Sequence, residues 1–573
     1  MKKRILAMLL AGIMVVGLTA CGSSKSTTST DSGTSTSTES TTPASDGATD
    51  AVEEAAFEGT REVVVGISAD IKTWEPWGAY NIGRQNMAPM VYQNLTADII
   101  DPDSWTMTHY DVMAESEEQI GERTYQIKIR EGIVDSAGNA FTASDAIFSF
   151  EGCRAAGKMT QANAIESMEL VDELTFNMTL TEAGNTEGNF EDICSAINMV
   201  TQASYEASAD GMTTDPIGTG PMVLASYTSG SDALLTKADS FWNEAANETK
   251  STADGYCSQW DMSNIDQIHY VFITDEASMA IALENGEIDI ARSISMEDKV
   301  LFEDNDAYTL FVEPEGSYGL AFNVSSNSPT SNLNLRMAIA YCIDAEGVLN
   351  AACDGDGEVA VSWSYPSFND YQSAWESEEY FDYNLDTAKE YLDAYCVETG
   401  VAASSISLRL LLQSEDIAEG IASAIQYYVG ELTGNPSTVE IMGYDRATTT
   451  QMKADATAYD LFIVNGQLVT RITSCYDWDS VANYAKNGWT IFHEEDNALQ
   501  EKLLAAIEVE THSDETVYDF QAYVKDQCYH KNLIYANEYG AAASWIGNED
   551  EHIGSKGCLN LGALSYDWNA SGK

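Results

Sequence analysis

The sequence predicts a mixed α/β fold, because two of its segments have the patterns of strands and a third has the pattern of a helix. Residues 62–67 are mostly apolar, which is typical of a strand buried inside a sheet. Residues 222–237 contain two strand-like runs separated by a polar turn. A helix is expected near Thr274, capped by Thr274 or Asp275 and ended at Gly286. Strands and helices therefore share one chain, as in α/β proteins.

The same reasoning places the other elements in chain order. The helix after Thr274 is expected to bury Ala277, Ala280 and Ile281, and residues 287–290 alternate like a strand. Residues 142–145 have the spacing of a capping box at a helix start. Further strands are predicted at 122–130, 174–180, 408–413 and 459–464. Further helices are predicted at 335–342, 417–432, 499–510 and 517–528, and another is expected to begin at a cap formed by Asp386.

Composition excludes one large class of partners. The chain has 573 residues, a formal net charge of -63 and only 28 Lys and Arg residues. Nucleic-acid binding needs clustered basic side chains, so no nucleic-acid partner is predicted. A solvated acidic surface explains this charge, and attraction of cationic ligands or divalent ions is the alternative.

The N-terminal region has the pattern of an export signal. A basic start is followed by an apolar run too short to span a membrane comfortably, and then by Leu-Thr-Ala before Cys21. This order resembles a bacterial lipobox, so we expect a signal peptide at 1–20 and lipidation of Cys21. Residues 21–60 are rich in Ser and Thr and are predicted to be a disordered tether. A tether behind a lipid anchor favours the outer face of a Gram-positive cell membrane.

Several motifs recur at fixed spacing through the rest of the chain. They are PIGTGP at 216–221, Phe-Trp at 241–242, ALENGEID at 282–289, GLAFN at 319–323, LRMAIAYCID at 335–344 and YDLFIV at 459–464. Together they resemble the family-5 extracytoplasmic solute-binding proteins, the receptors of oligopeptide and dipeptide ABC importers. The resemblance spans about 61–540, and the motifs are specific to the scaffold rather than to the pocket.

The resemblance implies a particular α/β architecture. It is a two-lobed, periplasmic-binding-protein-like clamp of class II (cluster C) with an extra small subdomain. Lobe I would comprise residues 61–97, 216–320 and 531–573, and the small subdomain residues 98–215. Lobe II would comprise residues 321–530. Two crossing strands would join the lobes, with a hinge near 317–323.

The resemblance also implies ligand-binding candidates before the second lobe. In relatives the backbone after the first strand faces the ligand, so Tyr80, Asn81, Ile82 and Gly83 are candidates. Arg84 is interpreted as a solvated cation at a helix start rather than a ligand contact. Trp363 and Tyr365 lie in a loop that lines the cleft in relatives, where aromatic rings stack on ligand groups. A surface or core cluster is the alternative for these two aromatic residues.

The second lobe departs from the pattern of peptide-binding relatives. They usually carry a Trp and then an Asp, which pairs with the peptide α-amino group, after the strand equivalent to 459–464. Here Asn465 and Gly466 follow, with no carboxylate before residue 470. Asp477 or Asp479, with Trp478 between them, could take that role, or the amine anchor is absent. Arg471 could clamp a carboxylate, or it is a plain surface cation.

The predicted function is capture of a solute without chemistry. The ligand is expected to be a short peptide, delivered by a monomeric receptor to ABC permease subunits. An oligosaccharide or another small solute is the first alternative, and an extracytoplasmic hydrolase is a remote one. No convincing nucleophile, zinc or Ser-Lys motif is present, so the sequence predicts no enzyme activity, no catalytic residue, no metal and no cofactor.

Overall fold

The structure is a computed structural model that describes residues 57–100, 107–362, 370–467, 496–547, 554–555 and 558–573. The helices are α1 Ile82–Val91, α2 Ala143–Ala156, α3 Asn189–Ala196, α4 Gln202–Ala207, α5 Glu244–Thr249, α6 Glu276–Glu284, α7 Leu333–Cys342, α8 Ala345–Cys353, α9 Leu385–Thr399, α10 Asp416–Thr433, α11 Arg446–Lys453, α12 Asn497–Ile507 and α13 Asp514–Asp526.

The strands follow most of the predicted positions. They are β1 Glu62–Ile67, β2 Thr96–Ile100, β3 Met107–Asp111, β4 Ala114–Gln119, β5 Thr124–Ile129, β6 Ile165–Leu170, β7 Thr175–Leu180, β8 Met222–Thr228, β9 Asp232–Lys237, β10 Gln267–Phe272, β11 Ile290–Ile294, β12 Tyr308–Phe322, β13 Glu358–Val359, β14 Leu408–Gln413, β15 Val439–Tyr444, β16 Leu461–Gln467, β17 His530–Ala543, β18 Ile546–Gly547, β19 Gly554–Ser555, β20 Cys558–Leu559 and β21 Ser565–Tyr566.

A mixed sheet of eleven strands runs through the described part of the chain. Its order is β15-β14-β16-β12-β17-β11-β1-β10-β9-β8, and β13 pairs with β17 beside this path. β1 is parallel to β10 and β11, whereas β12 and β17 are long and antiparallel to each other. A separate sheet of order β4-β5-β7-β6 lies in the segment between β3 and β8. The mixed α/β prediction is therefore confirmed.

Two large hydrophobic cores lie on different parts of this sheet. The first core includes Val65, Tyr270 and Phe311 and takes in the four-stranded sheet. The second core is formed by β12 from Tyr318 onward, the helices α7–α10 and the strands β14 and β16, among other elements. β12 and β17 contribute residues to both cores, so these two strands connect one core with the other. The predicted boundaries of the lobes and the small subdomain remain a prediction.

Two motif residues, Asp289 and Asn323, hold distant parts of the scaffold together. The Asp289 carboxylate accepts a hydrogen bond from the Val64 backbone N–H at 2.7 Å, which fixes the turn before β11 against β1. Asn323 donates from its side chain to the carbonyls of Ala456 and Tyr459 at 2.9 and 2.7 Å. These contacts join segments far apart in sequence, which gives these two motif positions a reason to carry a polar residue.

Two local details differ from the predictions. In α6 the buried residues are Met279, Ala280, Ala282 and Leu283, whereas Ile281 is 55% exposed. Of the three residues predicted to be buried, Ala280 is buried as expected, whereas Ala277 and Ile281 are exposed, because the helix has apolar residues on more than one side. The helix α9 is capped by Asn384, whose side chain accepts from the Thr387 N–H at 3.0 Å, and Asp386 lies in its first turn instead.

The buried imidazole of His530 predicts an acid-sensitive step in stability. Burial lowers the pKa of His530 from 6.5 to about 3. The ring is therefore neutral in the folded protein, while the unfolded chain takes up a proton below about pH 6.5. Above that pH this difference in proton uptake does not change the free energy of unfolding. Between about pH 6 and pH 4 it lowers the free energy of unfolding by about 1.4 kcal/mol for each pH unit of acidification.

The measurement is urea unfolding of the wild type and of His530→Gln across this pH range. The other titratable groups are shared by both proteins, so the difference in slope isolates His530. The free energy of unfolding is expected to fall more steeply with decreasing pH in the wild type than in His530→Gln, by the slope that the uptake of about one proton produces. Equal slopes for the two proteins would show that the ring titrates normally in the folded state.

Candidate functional site

The predicted site around Tyr80 begins at the amino terminus of α1. Asn81 caps this helix, since its side chain accepts from the Arg84 N–H at 2.9 Å. Tyr80 is 67% exposed, and its hydroxyl donates to the Gln85 side chain. Tyr80 thus presents an accessible aromatic ring beside a helix start, where it can contact a ligand.

Gly83 has a structural reason to be glycine. A Cβ at this position would lie 2.4 Å from the Ala69 carbonyl oxygen and 2.7 Å from the Asp70 carbonyl carbon. The first turn of α1 therefore packs directly on the backbone that leaves β1. Ile82, which precedes it, is half-buried. This close approach fixes the position of Tyr80 and Asn81 at the end of β1, where ligands of open α/β sheets commonly bind.

Arg84 is not the solvated cation that the sequence suggested. Its side chain is buried and donates to the backbone carbonyls of Pro76 and Thr73, and burial lowers the pKa of the guanidinium. Arg336 behaves in the same way, because it donates to four carbonyls, those of Thr330, Ser331, Gln527 and Cys528. Both arginines therefore hold loops in place.

The second group of candidates follows β16. Asn465 and Gly466 are paired with Tyr318 and Ser317 of β12, so their backbone lies beside the strand that connects the two cores. The remaining candidates fall outside the described residues. They are Cys21, Trp363, Tyr365, Arg471, Asp477, Trp478 and Asp479. The structure thus brings Asn465 and Gly466 to the strand crossing and leaves the other assignments as predictions.

A buried charge cluster at the crossing was missed in the sequence. Arg292 of β11 lies 3.3 Å from the Glu538 carboxylate of β17 and 3.7 Å from the Glu313 carboxylate of β12. Glu313 and Glu538 are direct cross-strand partners. The three residues come from distant parts of the chain, so no local motif reveals them. The one available signal was a lone Arg in the apolar run of β11.

The cluster lies between the two cores along both long strands. On β12, Glu313 falls between Phe311 of the first core and Tyr318 of the second. The pairing of β12 with β17 also shifts register between Pro314 and Gly316. A charged cluster and a register shift therefore lie on β12 between the residues that it contributes to the two cores. A bulge of this kind bends the strand that carries it.

Comparison with known families decides what kind of protein this is. Residues 108–471, well over half of the chain, match the family model described as bacterial extracellular solute-binding proteins, family 5. The chain belongs to this family. The predicted resemblance is confirmed, and family-5 solute-binding proteins are extracellular by description. Among the described residues, no helix combines the length and apolar character needed to cross a membrane.

Curated relatives match over part of their length. This solute-binding protein is 25% identical over 321 residues to the glutathione-binding protein GsiB of Escherichia coli O1:K1. That match covers 55% of this chain and 58% of GsiB, so it spans little more than half of the relative.

Solved structures resemble the fold over most of the chain. The ABC transporter substrate-binding protein CtaP of Listeria monocytogenes has a TM-score of 0.72 and 19% identity, covering 88% of this chain and 99% of CtaP. NikA of Brucella suis, solved with Fe(III)-EDTA, has a TM-score of 0.72 and 18% identity, covering 88% of this chain and 100% of NikA. The prediction of a two-lobed, periplasmic-binding-protein-like fold is therefore confirmed.

Proposed function

We propose that the protein is the substrate-binding lipoprotein of an ABC importer and captures short peptides between two hinged lobes. The observation that carries this proposal is the pair β12 and β17, which connects two separate hydrophobic cores through a charged, bulged segment. Such a connection permits one core, with the elements packed on it, to rotate against the other while the packing inside each core is kept. A closed form that encloses its ligand would then dock on the permease.

The ligand class rests on three lines of support. GsiB, a partial relative, is named for glutathione, which is a tripeptide. The backbone of β16 ends beside the crossing strand, where extended peptide main chain can pair with backbone N–H and C=O groups. Tyr80 at the α1 start adds an exposed ring for side-chain contact. In this proposal Asp477 or Asp479 receives the peptide α-amino group.

A second candidate ligand is a small non-peptide solute, such as an oligosaccharide or a chelate. The sequence Asn-Gly-Gln-Leu-Val after β16 carries no carboxylate where peptide-binding relatives usually have one. NikA, which shares the fold, is solved with Fe(III)-EDTA rather than a peptide. In both cases the protein would bind without catalysis or a cofactor.

The cellular context completes the proposal. Cys21 would carry a lipid that holds the protein, as a monomer, at the outer face of a Gram-positive membrane. Residues 21–60 would tether the folded part, with lobe I and lobe II divided as the family resemblance implies. Mass spectrometry of protein from the native membrane tests the anchor, since lipidation at Cys21 adds a diacylglyceryl mass to the mature N-terminal peptide.

Native mass spectrometry of the mature chain is expected to detect copurified short peptides. Replacing both Asp477 and Asp479 with Asn is expected to weaken peptide binding about tenfold or more, because an ammonium group would lose its charged partner. Titration of the stripped protein with a peptide identified in this way measures the loss. The matched control replaces Asp386 and Asp393, two aspartates of α9, with Asn.

Each result has a clear meaning for the ligand. Peptide binding that depends on Asp477 and Asp479 but not on the control pair supports the peptide receptor. A copurified sugar or chelate contradicts the assignment of Asp477 or Asp479 as the partner of a peptide α-amino group. Peptide binding that is unchanged in both double variants contradicts it as well. Turnover of the bound compound would contradict the assignment as a binding protein.

A further inference from the structure

A group of metal-ligating side chains lies on the strands β2, β3 and β4, apart from the proposed cleft residues. His109 and Asp111 are two residues apart on β3 and so project from the same face of the strand. Asp98 of β2 is the direct cross-strand partner of His109. Glu117 comes from β4, which follows β3 after a short turn. Three successive strands therefore bring one imidazole and three carboxylates together.

The imidazole of His109 is held in a defined orientation. Its Nδ1 lies 2.7 Å from Asp98 Oδ1, and Asp98 is itself fixed by the Ser195 hydroxyl, which donates to Oδ2 at 2.7 Å. The Asp98 side chain is only 6% exposed, so this support is rigid. Metal-binding histidines commonly use one ring nitrogen in this way, with a carboxylate behind the ring and the other nitrogen directed at the ion.

The other ring nitrogen lies near the Glu117 carboxylate, and the Asp111 carboxylate lies in the same group. Nε2 of His109 lies 3.7 Å from Glu117 Oε2. The ligand atoms of His109, Asp111 and Glu117 all lie within 4.8 Å of one another. Nitrogen and oxygen ligands at about 2.0–2.2 Å from a tetrahedral ion are roughly 3.4 Å apart. A small rotation of the Asp111 or Glu117 side chain would therefore give three ligands around one ion.

Glu117 is also placed as a ligand would be. Its side chain is 13% exposed, and among the described residues its Oε1 is shielded from solvent without a conventional hydrogen bond. The thiol of Cys194, a weak donor, lies beside it. Burying part of a carboxylate without strong donors is unfavourable unless a cation compensates it.

A proton is the competing occupant of this group. The His109 imidazole lies between two carboxylates, with one ring nitrogen 2.7 Å from Asp98 and the other 3.7 Å from Glu117, so a protonated ring would also fit here. An imidazolium between two carboxylates balances only part of the negative charge, because Asp111 is present as well. A divalent ion on Nε2 supplies one more positive charge than the proton it replaces.

We propose that His109, Asp111 and Glu117 bind a divalent transition-metal ion, with Asp98 orienting the His109 ring. One imidazole with two carboxylates suits Zn²⁺ or Mn²⁺ better than Ca²⁺, which prefers oxygen ligands alone. The ion would tie β4 to the paired strands β2 and β3. The site is independent of the proposed solute, so either proposal can fail without the other.

The experiment is calorimetric titration of the full mature chain with Zn²⁺, followed by the same titration with Ca²⁺. The wild type is expected to bind one Zn²⁺ at this site and Ca²⁺ much more weakly. His109→Asn and Glu117→Gln are each expected to reduce Zn²⁺ affinity by about tenfold or more, since each removes a ligand. Circular dichroism confirms that both variants are folded.

The matched control is His269→Asn. His269 also faces a carboxylate, Asp232, at 3.3 Å, but belongs to no such three-ligand group in the described chain. Zn²⁺ binding that survives in His269→Asn and is lost in the two site variants supports the proposal. Absence of saturable Zn²⁺ binding in the wild type, or equal binding by all four proteins, overturns it and leaves a proton as the occupant.

Discussion

Replacing Gly218 with alanine is expected to destabilise the protein by about 3 kcal/mol, because the new methyl group has no room. A Cβ at Gly218 would lie 2.1 Å from the Val91 carbonyl oxygen and 2.9 Å from the Tyr92 ring. The carbonyl belongs to the end of α1, and the same oxygen accepts from the Gly220 N–H at 2.9 Å. Relief of the clash would therefore pull the PIGTGP turn away from α1.

Urea unfolding monitored by tryptophan fluorescence measures this loss. Gly121→Ala is the matched control, since its Cβ would meet only Thr124 at 3.4 Å, an ordinary contact distance. The control is expected to change the free energy of unfolding by less than about 0.5 kcal/mol. A Gly218→Ala protein as stable as the control would mean that the turn does not pack on α1 as described.

The second large effect is expected from Asp460→Ala, at about 3 kcal/mol. The Asp460 carboxylate is 3% exposed and accepts from the Arg409 backbone N–H and Nε, both at 2.9 Å. It also accepts from the Ser328 hydroxyl at 2.8 Å. Alanine would leave these donors without their buried acceptor and would loosen the start of β16 against β14.

Chemical denaturation of Asp460→Ala and of Asp393→Ala separates this effect from a general change in charge. Asp393 is an exposed acid on α9, so its removal is expected to alter stability by less than about 0.5 kcal/mol. The midpoint for Asp460→Ala should fall with little change in the denaturant slope. Equal midpoints for the two variants would show that the Asp460 contacts contribute no net stability.

Much of the scaffold could be predicted because its signals are local. Residues 408–413 form β14 as predicted, since a run of apolar residues between polar ones is sufficient to define a buried strand. The capping box at Thr142 and Asp145 also forms as expected, because its hydrogen bonds join residues three positions apart. Such features need no knowledge of the rest of the chain.

The remaining features depend on which distant segments meet. The sequence gives no means of telling that Arg84 turns inward to backbone carbonyls, because the carbonyls become its partners only after the loop folds. The same holds for Arg292, whose partner Glu538 lies 246 positions away. For the pocket, the candidates at Asp477 and Asp479 rest on the family resemblance and stay predictions.

The position of β17 in the sheet has a consequence for the order of synthesis. β17 is made from residues 530–543, yet it lies between β11 and β12, which are synthesised much earlier. In a nascent chain that ends before His530, the long edge of β12 and the short edge of β11 that pair with β17 therefore have no partner. Unpaired edges of this kind promote aggregation. The sheet on both sides of β17 can therefore be completed only after residues 530–543 have been synthesised. A chaperone that shields the edges of β11 and β12 would act before β17 is synthesised.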